Sequence, residues 1–516
     1  MRIPMKSIGL GLLIAATGCA QDANWTTFSG NTLGHRHSTL TQINKSNVGQ
    51  LKPLWVYQID KTDKFEVSPI VRDGIMYISE PPSDVTALEA RTGKVLWKYR
   101  RVLPDSPPVC CGKVNRGVAI DGSKVFLGTL DAHLLALDAS TGNILWDAKV
   151  ADYKKGYTST VAPLVVGNMV VIGSAGGEFG VRGYIAAYDK NTGKEVWRTW
   201  TVPAAGEKGA ETWKGESYKT GSATTWVNGS YDPQLNLIYW GTGNPGPDWN
   251  SRSRTGDNLY SDSILALDAA TGKMKWYFQF TPHDMHDWDS TQVPVLADLN
   301  WKGARRKVVL FANRNAFYYV LDRATGEYLL GKQYVKQTWA EGLDAKGRPI
   351  KMADITPTEK GTVVYPNSPG ATNFQAPSYS PLTGLHYVMT RDEGGVFYSG
   401  NDTHNEGSWF LAGRFVSKPG EDAQGAIKAM DPMTGTAKWT YPLAIASWSG
   451  VLSTAGGLVF SAIGDGDVIA LDDATGKLLW KFPAGGRAFA NPVSYAVDGK
   501  QQVSIAIGHS LFAFGL

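Results

Sequence analysis

The sequence predicts an all-β protein, an eight-bladed β-propeller closed by its N- and C-terminal strands. Three observations predict it: one eleven-residue phrase that recurs along the chain, a glycine- and tryptophan-rich composition with few helix-periodic segments, and strand-like runs at the two ends that complete each other. The phrase is clearest as ALDAATGKMKW, Ala266 to Trp276. Further copies end at Trp97, Trp146, Trp197, Trp439 and Trp480, and a degenerate one, VLDRATGEYLL, ends at Leu330, which makes seven. Each reads as two short strands around Asp-x-x-Thr-Gly, closed by an aromatic residue. The Gly supplies the positive φ of the turn, and the Asp and Thr side chains can bond backbone amides across it.

Closing residues recur at intervals of roughly 40 to 55 positions, with two longer gaps, a spacing that suits one four-stranded sheet per repeat. Apolar strand pairs precede the copies, as in Glu66 to Ser79 and Val161 to Gly173. After Trp480 only three strand-like runs remain, around Asn491 to Val497, Gln502 to Gly508 and Leu511 to Leu516. The fourth is expected from Gln50 to Gln58, with Trp55 in the closing position. That pairing would remove an open sheet edge.

With 516 residues, 58 Gly and 18 Trp, the composition agrees with a large ring that is one domain, expected over 21–516. The net charge of +4 gives no support to nucleic-acid binding. Arg2 and Lys6 precede an apolar run from Ile8 to Ala16 and the ending ATGCA, which reads as a secretory signal over residues 1–20, too short for a membrane span. The mature protein is therefore expected in the periplasm. Cleavage after Ala20 and lipidation of Cys19 both fit, and only the second would place it on a membrane. A homodimer is left open.

The remaining cysteines, Cys110 and Cys111, are adjacent. Their Cα atoms lie ~3.8 Å apart across a trans peptide, below the usual disulfide range. A bond between neighbours staples no long loop, so two buried thiols and a flat sulfur platform beside a cofactor both remain open. The chain has no C-x-x-C-H and hence binds no c-type haem itself. It also lacks a strand-following GxGxxG, a Walker loop and HExxH.

Polar, Gly- and Pro-rich inserts interrupt the repeat at 205–222, 245–262, 331–370 and 401–424, and are candidates for the walls of a funnel. Other motifs lie outside the repeat. TPHDMHDWD (Thr281 to Asp289) follows a blade-closing strand, and on an extended segment Asp287 and Asp289 would face one side. GSAGGEFG presents Glu178, and YWGTGNPGP places Asn244 straight after a strand. Carboxylates with an amide carbonyl make an oxygen-only site suited to calcium or a similar hard cation. Each alone also reads as an ordinary turn residue; together they favour a central metal site.

CC followed by NRG, SAGGEFGVRG, GTGNP, TPHD and NRN, in this order, carry a resemblance. The chain resembles the pyrroloquinoline quinone (PQQ) dependent alcohol dehydrogenases, the eight-bladed quinoproteins that include methanol dehydrogenase, over essentially the whole mature sequence. The resemblance implies a vicinal disulfide between Cys110 and Cys111 on one face of PQQ, with Trp226 stacked on the other. It implies that Glu66, Arg116, Thr160, Thr224, Asn373 and Trp448 contact the cofactor's carboxylates and carbonyls, and that Gly176 and Gly177 meet it through backbone amides. A three-carboxylate quinone needs Arg and hydroxyl partners of this kind. Ala175 stands where some relatives have Ser, which removes one contact. Metal ligands would be Glu178, Asn244 and Asp287, with Asp287 also the catalytic carboxylate and Arg314 approaching the quinone oxygen. Asp289, two positions after Asp287, resembles the pattern of lanthanide-dependent members, because a trivalent ion takes one more hard anion than Ca²⁺ does. Asp289 as a solvated neighbour of a calcium site is the alternative.

The implied reaction is oxidation of a small alcohol to an aldehyde, with a Lewis-acid metal, Asp287 as base, Arg314 at the developing oxyanion, and a separate periplasmic cytochrome c as electron acceptor. A quinoprotein acting on a sugar or polyol is a near rival. A non-enzymatic scaffold resembling the outer-membrane assembly lipoproteins needs only blades and leader, and not the CC, Glu178, Asn244 and Asp287 set.

Overall fold

The computed structural model describes residues 23–60, 63–104 and 108–516, so the expected leader and Cys19 lie outside the described residues. The described chain is all-β and propeller-like, with seven four-stranded antiparallel sheets and one five-stranded sheet. Short 3-10 turns are its only helical segments among the described residues, and no helix there is long and apolar enough to cross a membrane.

Every copy of the repeat phrase forms the last two strands of a sheet, as in Asp84–Glu89 with Val95–Tyr99 and Ser263–Asp268 with Met274–Gln279. The register is the same throughout. A small residue faces the closing one across the strands, Ala87 to Trp97, Ala136 to Trp146, Ala187 to Trp197, Ala266 to Trp276 and Ala470 to Trp480, and Val320 to Leu330 in the degenerate copy. In the turns, Asp138 and Asp472 each accept bonds from two backbone amides, as the sequence leads one to expect.

The indoles fasten each sheet to the next. Trp97 Nε1 donates to the Ala139 carbonyl (3.0 Å), Trp197 to Ala269 (3.0 Å), Trp276 to Arg323 (3.2 Å) and Trp439 to Asp473 (2.9 Å). Their rings cover the turn glycines of the neighbouring repeat. A Cβ on Gly142 would stand 2.5 Å from Trp97, and one on Gly272 2.5 Å from Trp197. These glycines also sit at φ +76° and +70°, so no other residue is accommodated without strain.

One sheet combines a strand from each end of the described chain. Lys52–Gln58 pairs antiparallel with Ser510–Gly515, placing Trp55 opposite Ala513, and Val493–Val497 and Lys500–Ile507 complete that sheet. Trp55 Nε1 then bonds the Ala90 carbonyl and Trp480 Nε1 the Leu51 carbonyl, so both ends share the same fastening. Around this regular framework the apolar core runs between neighbouring sheets, and the irregular loops converge on one cavity.

Candidate active site

The loop Thr281 to Asp289 is shaped by Asp284 and Trp288. The buried Asp284 carboxylate accepts from the backbone amides of His286 (3.1 Å) and Trp288 (2.9 Å). Trp288, fully buried, stacks on His286 at 4.4 Å and donates Nε1 to the Asn367 carbonyl (3.0 Å). So pinned, the chain holds Asp287 at φ +61°, a left-handed conformation that a non-Gly residue keeps only when its surroundings impose it. This differs from the extended segment expected from the sequence, yet both acids still reach one partner, because the turn and not strand alternation brings them round.

That partner is Arg314. Its Nη1 donates to Asp289 Oδ2 (2.7 Å), and its Nη2 to Asp287 Oδ2 (3.2 Å) and the Ser368 carbonyl (2.5 Å). Ser368 Oγ donates to the same Asp287 Oδ2 (2.6 Å). The second Asp287 oxygen is left for other company. Burial pushes the Asp287 carboxyl well above the usual range and the Asp289 charge adds to this, while Arg314 and Ser368 act the other way. Burial works against the Arg314 cation too, but the two aspartates outweigh it and keep it protonated. Asp289 is not a solvated neighbour. It is buried and also accepts from the Asn244 backbone amide (2.7 Å) and Trp226 Nε1 (3.0 Å). Gly243 permits that approach, since a Cβ there would lie 2.5 Å from Asp289 Oδ1.

Cys110 and Cys111 are joined by a disulfide. They line a cavity of about 550 Å³ together with Glu66, Arg116, Thr160, Gly176, Glu178, Thr224, Trp226, Asp287, Asp289, Arg314, Asn373 and Trp448. On one wall Arg116 lies over the Trp226 ring (4.7 Å) and the Phe374 ring (5.0 Å), pairs with Glu66 (2.8 Å) and donates to Thr160 Oγ (2.8 Å). Trp448 stacks on Phe374, at 5.5 Å. Asn373 is held by its Nδ2 bond to the Pro369 carbonyl (2.9 Å).

Two expected residues do not line this cavity. Gly176 lines it, while the carbonyl of Gly177 accepts from Ser222 Oγ (2.6 Å). Asn244 donates its Nδ2 to Asp248 (2.9 Å), which does line the cavity. Asp248 and Ser368 are functional candidates that sequence reasoning missed. Both come from inserts read only as funnel walls, and nothing in PGPDWN or PNSPG distinguishes them from loop residues. The inserts do build the walls through Trp249, Ser368, Trp409, Leu411 and Phe415, but 205–222 contributes nothing to the cavity lining.

Glu178, on a short 3-10 turn opened by Gly176 at φ +105°, faces the cavity, and its carboxylate accepts no side-chain hydrogen bond among the described residues. Burial pushes it up to about 7, with Asp289 adding to the shift. Glu178, Asp248, Asp287 and Asp289 therefore converge with Arg314 as the cation bonded among them, an arrangement that invites a further positive charge.

The PQQ family described as glucose/ethanol/alcohol dehydrogenase, β-propeller domain, matches residues 25–342 and 423–503. The chain belongs to the PQQ-dependent quinoprotein alcohol dehydrogenases. Among these quinoproteins it is 41% identical over 504 residues to quinoprotein alcohol dehydrogenase PedH of Pseudomonas putida, covering 92% of this chain and 84% of the relative. A quinohemoprotein alcohol dehydrogenase from Comamonas testosteroni superposes with a TM-score of 0.92 at 35% identity, over 97% of this chain and 81% of that one. A europium-containing methanol dehydrogenase gives a TM-score of 0.92 at 33% identity, over 96% and 98% of the two chains.

The residues present fit the groups this quinoprotein family uses. A flat cofactor with three carboxylates finds the disulfide, the Trp226 ring and an Arg116 whose Nε has no partner among the described residues. A hard cation finds the carboxylate oxygens of Glu178, Asp287 and Asp289, and the sulfurs of Cys110 and Cys111, within 4.8 Å of the Glu178 carboxylate, are tied up as a disulfide and offer no thiolate.

Proposed function

We propose that this chain oxidises a small alcohol to an aldehyde with PQQ and one metal ion. The observation that carries the reading is the meeting, in a single cavity, of the Cys110–Cys111 disulfide, Trp226, the Arg116–Glu66 pair and the Arg314–Asp287–Asp289 cluster. When bound, PQQ supplies a two-electron acceptor and the metal a Lewis acid.

The protein's own share follows from its contacts. Cys110, Cys111 and Trp226 hold the flat cofactor, and Arg116, Thr160, Thr224, Asn373, Glu66 and Trp448 fix its polar edge. Glu178, Asn244, Asp287 and Asp289 hold the metal. Asp287 takes the hydroxyl proton of the alcohol on the oxygen that Arg314 and Ser368 leave free. Arg314 remains charged beside it and stabilises negative charge that develops on the reacting oxygen. Trp249, Trp409, Leu411 and Phe415 give the mouth an apolar wall, which favours an alcohol with a carbon tail over a sugar or polyol.

The lanthanide reading rests on the excess of buried carboxylates, Asp289 among them. Eight sheets closing into one ring domain over 21–516, export to the periplasm, and electron transfer to a separate cytochrome c belong to the same reading. Support comes from the strand pairing of the two ends and from the leader sequence. The test is dye-linked oxidation of a short primary alcohol by metal-free protein reconstituted with PQQ and either Ca²⁺ or La³⁺. Activity with La³⁺ alone is the expected result. Activity with Ca²⁺ alone would leave Asp289 as the partner of Trp226 and Arg314 only, and activity with neither would overturn the enzyme reading.

A further inference from the structure

Asp248 has no place in the ligand set derived above, yet it lines the cavity and its carboxylate holds the Asn244 side-chain amide. It is 4% exposed and lines the cavity beside Asp287 and Glu178. The position is built. Arg254, fully buried, donates to the Pro247 carbonyl from Nε (3.0 Å) and Nη2 (2.9 Å), to the Asp248 carbonyl (3.3 Å) and to the Asp284 carbonyl (2.7 Å). One guanidinium thus ties the 245–262 insert to the loop that carries Asp287.

The bond from Asn244 Nδ2 to Asp248 Oδ1 (2.9 Å) fixes which way that amide faces, leaving its carbonyl oxygen for another partner. The charge balance matters as well. Glu66 is matched by Arg116, but Asp248 adds a fourth carboxylate to Glu178, Asp287 and Asp289, of which only Asp287 and Asp289 bond the Arg314 guanidinium.

We propose that Asp248 is a metal-positioning residue that orients the Asn244 amide and, through its own charge, biases the site toward a trivalent over a divalent cation. The inference rests on the PQQ and metal reading above. Coulomb energy scales with the charge of the ion, so removing one buried anion weakens a 3+ ion about one and a half times as much, on a logarithmic scale, as a 2+ ion.

The test uses full-length, PQQ-loaded, metal-free protein. Tb³⁺ binding is followed by luminescence excited through the nearby tryptophans, and Ca²⁺ binding by competition. Asp248→Asn keeps an oxygen to accept from Asn244 and removes only the charge. Tb³⁺ affinity is expected to fall roughly 10- to 100-fold and Ca²⁺ affinity by less, as outer partners of metal ligands generally show. Asp248→Ala, which also loses the anchor on Asn244, is expected to weaken both ions further, and it serves should the Asn variant fail to fold. Unchanged affinities, or equal losses for the two ions, would overturn the inference alone. Wild-type protein that binds neither ion in the presence of PQQ would overturn the underlying reading and this inference with it.

Discussion

The rim of the molecule and its centre are built on opposite terms. At the rim one local solution is repeated. An Asp-capped turn exposes its polar atoms to water, and a tryptophan covers the next repeat's glycine with its Nε1 bonded to a carbonyl. At the centre nothing repeats. Carboxylates are buried against one another, Asp287 is held in a left-handed conformation, and one arginine answers two acids. The rim gives stability from many interchangeable parts, and the centre gives it up locally to concentrate charge.

The contrast is sharpest where a substitution affects one side only. Asp287→Asn is expected to lower alcohol turnover by about 10³-fold or more while PQQ absorbance stays with the protein and thermal stability holds, because it removes a base and relieves buried charge. A dye-linked assay beside a melting curve checks this. A large loss of stability would mean that the centre also supports the fold.

Trp197→Ala is the converse. Losing a buried indole and its bond to Ala269 is expected to cost about 3 kcal/mol of stability, with turnover per folded molecule unchanged. Denaturant melts and active-site titration with PQQ separate the two effects.

The centre's cost in the metal- and PQQ-free protein shows in its pH dependence. Glu178 rises from 4.5 to about 7 on folding, so the folded state binds this proton more tightly than the unfolded one does. Its contribution is present below pH 4.5 and is lost as pH rises toward 7, up to about 3 kcal/mol. Glu178→Gln is expected to remove that part of the slope. Melting temperatures of the two proteins from pH 5 to 8, compared as a difference, measure it, and parallel curves would show that Glu178 is not the group responsible.

Ser368→Ala should act least, lowering kcat by about tenfold through the loss of one charge-assisted bond on Asp287, with KM little changed. A KM effect alone would mean that Ser368 faces the substrate instead.

The same contrast explains what could be read in advance. The seven hairpins, the docking tryptophans and the terminal pairing were legible because each depends on neighbours a few residues away or on one strand with a fixed alternation. The disulfide pair, Trp226, Arg116, Glu178, Asp287, Asp289 and Arg314 were legible through their motifs, and the cavity brings them together. Asp248 and Ser368 were not, since each matters only through a contact with a residue from another part of the chain, Asn244 in one case and Asp287 in the other. The bonds that hold Gly177 and Asn244, to Ser222 and Asp248, were equally illegible, because spacing along a loop says which residues are near but not which side chains bond them.

The pairing of Lys52–Gln58 with Ser510–Gly515 also sets a timetable. During synthesis, at roughly 5 to 20 residues per second, the first of these strands must wait about half a minute to a minute and a half for its partner to be made. Throughout that interval it is an orphan edge, open to wrong partners, while the sheets between can already form from sequence neighbours. The last six residues to pair therefore complete that one sheet, and loss of the C-terminal strand would leave the nascent edge exposed for good.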